Sequence, residues 1–161
     1  MPRSLTYFFL ICGALLANLA LAQLAPRTPG SLDLLDNSLG RNRPLPLEQA
    51  FPYLLSETSP GQYRVTWDPA PGHYLYRHAF SFSLQPTAEA QPVEVEFTLP
   101  DGLRKTDQFF GEIEAYYEQV SAEISLNSVP GPEASLVIEY QGCADWGFCY
   151  PPQRNIYPLT P

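Results

Sequence analysis

From Gln62 onward, apolar and polar side chains alternate in short runs, and proline or glycine cuts each run off. Tyr63, Val65 and Trp67 alternate with Gln62, Arg64 and Thr66. The cluster Asp68-Pro69-Ala70-Pro71-Gly72 then reads as a turn. Tyr74, Tyr76, His78, Phe80, Phe82 and Leu84 share one face of a long predicted strand, with Arg77, Ser81 and Ser83 on the other. Val93, Val95, Phe97 and Leu99 alternate with Glu94, Glu96 and Thr98, and Pro100-Asp101-Gly102 ends that run. Val120, Ala122, Ile124 and Leu126 form the next face, Pro130-Gly131-Pro132 is a break, and Leu136, Ile138 and Tyr140 form another. Residues 155–159 suit a last strand. A side-chain period of two cannot be sustained on a helix. Six or seven such strands between Pro/Gly turns predict an all-β, antiparallel sandwich with one wet face per strand.

Composition narrows the function. Eighteen prolines exclude a helical bundle or coiled coil. The formal charge of −8 leaves no positive face for nucleic acid. Nine Phe, ten Tyr and two Trp supply a packed core that a disordered acidic chain lacks. No βαβ rhythm and no glycine-rich phosphate loop appears, so nucleotide chemistry has no support. No serine, histidine and acid set sits in a recognisable elbow, so hydrolysis has none either.

The first residues read as an export signal. Arg3 precedes an apolar run over residues 5–16, and Ala20-Leu21-Ala22 offers an A-x-A cleavage site. The run is too short for a membrane span of about 20 residues. We expect residues 1–22 to be a signal peptide cleaved after Ala22, residues 23–44 an extended or flexible lead-in, and residues 45–161 the folded domain. Residues 47–55 suit a short helical turn. Cleavage removes Cys12 and leaves Cys143 and Cys149, an even pair in an exported protein, where disulfides persist.

Those two cysteines bracket Ala144-Asp145-Trp146-Gly147-Phe148 at the end of a predicted strand. A disulfide closing so short a loop stabilises by only about 2.4 kcal/mol on the chain-entropy estimate. On spacing alone, C-x5-C is open to a structural staple, to redox work or to metal binding. It matches neither a C-x2-C zinc knuckle nor the C-x-x-C of thioredoxin-like folds. His78 reads as a core or edge residue on an aromatic face, and His73, at a turn end, as solvated. Glu94, Glu96, Glu112, Glu114, Glu118 and Glu123 read as solvated strand faces, not acid/base pairs.

The run Gln141-Gly142-Cys143-Ala144-Asp145-Trp146-Gly147-Phe148-Cys149-Tyr150-Pro151-Pro152 closely resembles the active-site segment of the N-terminal periplasmic domain of the thiol:disulfide interchange protein DsbD family. Three further stretches resemble that family in order and spacing. They are Leu45-Pro46-Leu47-Glu48-Gln49-Ala50-Phe51, Gly72-His73-Tyr74-Leu75-Tyr76-Arg77 and Asp107-Gln108-Phe109-Phe110-Gly111. The resemblance implies an immunoglobulin-like sandwich and a carrier of reducing equivalents. It implies that Cys149 forms a mixed disulfide with the partner and Cys143 resolves it. The segment from Asp107 through Gln108, Phe109, Phe110 and Gly111 would be a cap loop, with Phe109 lying over the pair. Asp107 with Tyr74 or Tyr76 would line the site.

The same resemblance implies thioredoxin-fold periplasmic acceptors, of the disulfide isomerase or cytochrome c maturation type, and a separate membrane or thioredoxin-like donor. No cofactor and no metal is expected. Gln108 and Phe110 stand where the family usually carries Glu and Tyr, and Trp146 stands where a small residue is common. The competing reading is a redox-inert immunoglobulin-like binding module whose disulfide only staples a hairpin. A metal chaperone is a third.

Overall fold

The computed structural model describes residues 43–159. The expected signal peptide, its cleavage after Ala22 and nearly all of the lead-in lie outside the described residues. One helical turn, α1 (Leu47–Ala50), precedes a succession of strands. In the first sheet β1 (Tyr53–Ser59), β2 (Gln62–Trp67), β9 (Val120–Ser125) and β6 (Glu96–Thr98) are neighbours in that order. In the second, the order is β13 (Gln153–Pro158), β10 (Ser135–Tyr140), β4 (Ser81–Gln85) and β5 (Val93–Glu94). A five-stranded third sheet runs β12 (Phe148–Cys149), β11 (Gly142–Ala144), β3 (His73–Tyr76), β8 (Gly111–Tyr116) and β7 (Leu103–Asp107). Every strand pairing is antiparallel. The architecture is an immunoglobulin-like sandwich.

The period-two faces become the core. Tyr63, Val65 and Trp67 from β2, with Val120, Ala122 and Ile124 from β9, meet Phe82 from β4 and Leu136, Ile138 and Tyr140 from β10 in one buried cluster. Trp67 sits at its centre, stacked on Tyr53 at 5.3 Å and edge-on to Phe80 at 4.9 Å and Tyr140 at 5.6 Å. Such offset and T-shaped pairs place the positive ring edge on the negative ring face. The alternate positions, Arg64 and Glu123 among them, pair across the outer face of the first sheet at 2.6 Å.

The chain departs from the sequence reading at points where it changes sheets. The long strand expected from Tyr74 to Leu84 is broken by a 3₁₀ turn at Arg77–Ala79. On one side β3 pairs with β8 and β11; on the other β4 pairs with β5 and β10. His78 falls in that break and is exposed. The run from Val93 to Leu99 divides likewise at Val95, with β5 in the second sheet and β6 in the first. Strands that switch sheets in this way form the corners of a sandwich. The helical turn expected over residues 47–55 stops at Ala50, and β1 begins at Tyr53.

A second, smaller cluster lies on one face of the third sheet: Tyr74, Tyr76, Ile113, Ala115 and Cys143, with Ala79, Tyr117 and Cys149 against it. All four residues of β3 are buried, because Leu75 faces the main core while Tyr74 and Tyr76 face this second cluster. The cysteines therefore lie in a core of their own.

Candidate functional site

Strand register assembles the site. Cys143 on β11 lies directly opposite Tyr74 on β3 and directly opposite Cys149 on β12. Paired positions in an antiparallel sheet project to the same face, so the three side chains form one row. The two cysteines are joined as a disulfide across the β11–β12 pair, with Cα atoms 4.0 Å apart. The turn between them, Asp145-Trp146-Gly147, has three residues and closes on Gly147 at φ +92°. A glycine in the left-handed region is what a three-residue hairpin turn requires. Gly142, just before Cys143, admits no side chain. A Cβ there would lie 2.5 Å from Cζ of Phe51 and 2.6 Å from the Tyr74 carbonyl oxygen.

The sulfurs differ in access. Cys143 is fully buried, whereas Cys149 is partly exposed. The Tyr76 hydroxyl lies 3.0 Å from Cys143 Sγ and 3.6 Å from Cys149 Sγ. Tyr76 donates to Asp107 Oδ2, and Tyr74 donates to the same oxygen at 3.2 Å. The other oxygen of Asp107 accepts the backbone N–H groups of Phe109 at 3.0 Å and Phe110 at 2.7 Å. One carboxylate thus shapes the turn between β7 and β8 and binds both phenols beside the disulfide. A side chain that bonds the amides two and three residues on is a local device for building such turns.

Electrostatics follow from that arrangement. Burial alone would raise the Asp107 carboxyl, but the bonds from Tyr76, from the Phe110 and Phe109 amides and from Tyr74 outweigh it and hold it below its ordinary 3.8. Burial, then the bond to Asp107, pushes the Tyr76 phenol far above its ordinary value. Tyr74 moves the same way, chiefly through burial, with Tyr76 and Lys105 working against the shift. At neutral pH the site therefore holds one carboxylate and two neutral phenols.

The structure brings Cys143, Cys149, Tyr74, Tyr76, Asp107 and Phe110 together. The Phe110 ring meets Tyr76 edge-on at 5.0 Å and His78 at 4.9 Å. Phe109 and Phe110 are each about half exposed, at 50% and 51%. Gln108 reaches the cysteine turn: its Nε2 lies 2.8 Å from where a Cβ on Gly147 would stand. Gly111, at φ +74°, ends the cap turn opposite Asp107. Trp146 packs edge-on against His73 at 5.0 Å. His73 is buried, not solvated as its turn position suggested. Its ring is packed against Phe51, Trp146 and Tyr150, with Nδ1 3.2 Å from the Pro71 carbonyl and Nε2 3.4 Å from the Tyr150 hydroxyl.

Sequence reasoning passed over Lys105, Tyr117 and Asp145, which meet beside Tyr74. Two signals pointed to them. Lys105 is the chain's only lysine and stands two residues before Asp107, and Asp145 lies between the cysteines.

Comparison with known proteins bears on the same residues. The family model described as "Thiol:disulfide interchange protein DsbD, N-terminal" matches residues 41–161. A thiol:disulfide interchange protein DsbD from Yersinia pestis is 33% identical over 162 residues, covering 98% of this chain and 25% of the relative. DsbD 1 from Pseudomonas aeruginosa is 37% identical over 115 residues, covering 71% of this chain and 19% of the relative. The chain thus spans about a quarter or less of the curated relatives it matches. Among solved structures, the reduced DsbD N-terminal domain of Neisseria meningitidis is similar with a TM-score of 0.63 at 27% identity, covering 78% of this chain and 93% of that one. The complex between the DsbD and PilB N-terminal domains of the same organism gives a TM-score of 0.59 at 27% identity, covering 73% of this chain and 88% of that one.

Proposed function

The chain belongs to the family of DsbD N-terminal domains, and on that premise we propose that it is a periplasmic thiol–disulfide exchange module that carries reducing equivalents on Cys143 and Cys149. The observation that carries this reading is the unequal access of the two sulfurs: Cys149 is partly exposed and Cys143 is fully buried beneath it. An incoming partner meets Cys149 first.

In the forward direction the reduced pair acts in two steps. The Cys149 thiolate attacks one sulfur of the partner's disulfide, a mixed disulfide forms, and the partner's other sulfur leaves as a thiolate. Cys143 then loses its proton and attacks Cys149 Sγ. The Cys143–Cys149 bond closes and the partner departs as a dithiol, two electrons and two protons richer. A donor dithiol reverses both steps and recharges the module.

Tyr76 and Asp107 stand at the sulfur that must stay quiet until the second step. The phenol oxygen faces Cys143, and its own proton is directed to Asp107. A thiol at Cys143 can donate to that oxygen, which favours the protonated form while the carboxylate next to it disfavours a thiolate. The cap turn, with Phe109 and Phe110, shields the pair until a partner displaces it. Acceptors are thioredoxin-fold periplasmic proteins of the disulfide isomerase or cytochrome c maturation type; the relative's complex with a PilB N-terminal domain supports a protein partner. The donor is a membrane or thioredoxin-like dithiol protein.

The test is covalent trapping. A Cys143→Ala chain, unable to resolve, should accumulate a mixed disulfide through Cys149 with thioredoxin-fold partners in a periplasmic extract. A Cys149→Ala chain should accumulate none. Failure of Cys143→Ala to trap any such partner, together with a wild-type bridge that resists reduction below about −300 mV, would return the pair to the role of a structural staple.

A further inference from the structure

The chemistry above leaves the only lysine of the chain without a task. Lys105 lies on β7, at one edge of the five-stranded sheet, while the cysteine hairpin forms the opposite edge. Its ammonium sits 3.9 Å from the centroid of the Tyr74 ring and 5.0 Å from that of Tyr117. It donates to the Tyr117 hydroxyl and pairs with Asp145 Oδ1 at 3.4 Å. Tyr117 donates to that same oxygen at 2.6 Å. The lysine side chain is 24% exposed and that of Asp145 50%. Ammonium, phenol and carboxylate close a triangle across the Tyr74 face.

Asp145 opens the turn between the two cysteines. When the disulfide is intact, the bond itself holds that turn. When the bond is open, the turn still has the short β11–β12 pairing that flanks it, two backbone bonds, Asp145 N–H to the Gly72 carbonyl and Gly147 N–H to the Ala144 carbonyl, each at 2.9 Å, and the Trp146 ring against His73. The two-residue strand β12 carries Cys149 beyond it. The rate and equilibrium of closing a disulfide depend on how often the two sulfurs already lie within reach, which is a matter of how well the intervening segment is held.

We infer that Lys105 is a positioning residue for the exchange reaction: with Tyr117 it clasps Asp145, so the turn keeps its shape when the disulfide is open and Cys143 stays in line with Cys149. The inference rests on the exchange reading of the pair. Lys105 suits the task because its ammonium rests over an aromatic face and bonds two groups at once. The Tyr74 ring, in register with Cys143, forms the floor over which it reaches.

The experiment is equilibration of the purified chain with defined ratios of reduced and oxidised glutathione, for wild type, Lys105→Met, Asp145→Asn, the double variant and Lys105→Arg. Lys105→Met keeps the stem and removes the bonds. Loosening the turn makes closing less favourable, so Lys105→Met and Asp145→Asn should each lower the equilibrium constant for disulfide formation by roughly three- to tenfold. A tenfold change is about 30 mV toward the oxidising side. The double variant should be no worse than the single ones, because the two residues act as a unit. Lys105→Arg should recover most of the loss.

If Lys105 instead acts through its charge on a nearby thiolate, removing the cation and removing the anion must move the constant in opposite directions. That result overturns the inference. So does an unchanged constant in both single variants. Failure of the wild-type pair to equilibrate at all overturns the exchange reading itself, which keeps the two failures distinct.

Discussion

The Tyr76 hydroxyl lies 3.0 Å from the Cys143 sulfur and gives its own proton to Asp107. The oxygen that faces the sulfur is therefore an acceptor, and a thiol uses an acceptor better than a disulfide sulfur does. The bond favours the reduced state. Tyr76→Phe should remove about 0.5–1.5 kcal/mol of that preference. The potential of the pair should then move roughly 10–30 mV more negative. Equilibration with glutathione reads the shift directly. A potential that stays put or rises would show that the phenol does not act on the reduced pair.

Asp107 makes a second expectation, this one in pH. Its carboxyl is held below its ordinary 3.8, so its contribution to stability is complete above that value and fades as pH falls through the lower folded-state value. At pH 7, Asp107→Asn should destabilise the oxidised domain by about 1.5–3 kcal/mol, since bonds to a charged acceptor are lost. Urea unfolding at pH 7 and at pH 3 measures both chains. The gap between them should narrow in acid. An equal gap at the two pH values would mean that the carboxylate's charge is immaterial.

The packing behind the disulfide gives a third. Gly142 has no room for a methyl group, with Phe51 on one side and the Tyr74 carbonyl on the other. Gly142→Ala should lower stability by about 1–3 kcal/mol, the usual range for overpacking a filled core. Phe51→Leu in the same chain should restore part of the loss but not all, because the Tyr74 carbonyl belongs to the backbone of β3 and cannot withdraw. Thermal unfolding of the single and double variants tests this. Full recovery in the double variant would place the whole clash on the Phe51 ring.

The strands that sequence revealed and those it hid differ for a physical reason. β2, β9 and β10 each bury one face in the main core, and their alternation is plain in Tyr63-Arg64-Val65, Val120-Ser121-Ala122 and Leu136 to Tyr140. β1 meets the core only through Tyr53 and Leu55 before it runs on through Ser56, Glu57, Thr58 and Ser59 at a sheet edge, and β7 carries Arg104 and Lys105 on another edge, so neither sustains an apolar alternation. His73 misled because its position after a turn suggests solvent, while its burial comes from Phe51, Trp146 and Tyr150, all distant in sequence. The cysteine segment was legible as a motif. Its link to Lys105 was not, since no local pattern ties residue 105 to residue 145.

The cap supplies the last expectation. Phe109 and Phe110 sit on a three-residue turn, half exposed, with both amides bound to Asp107. Phe110 is engaged with Tyr76 and His78, whereas Phe109 makes no ring contact among the described residues. A half-exposed ring without a ring partner can swing without unfolding a turn whose amides are held by Asp107, which suits a shield that a partner displaces. Phe109→Ala in the reduced chain should speed alkylation of Cys149 by iodoacetamide several-fold and leave stability within about 0.5 kcal/mol of wild type. Phe110→Ala should cost more stability, because it strips a ring from Tyr76. An alkylation rate unaffected by Phe109→Ala would remove Phe109 from the shield and leave Phe110 and the turn backbone as the cover.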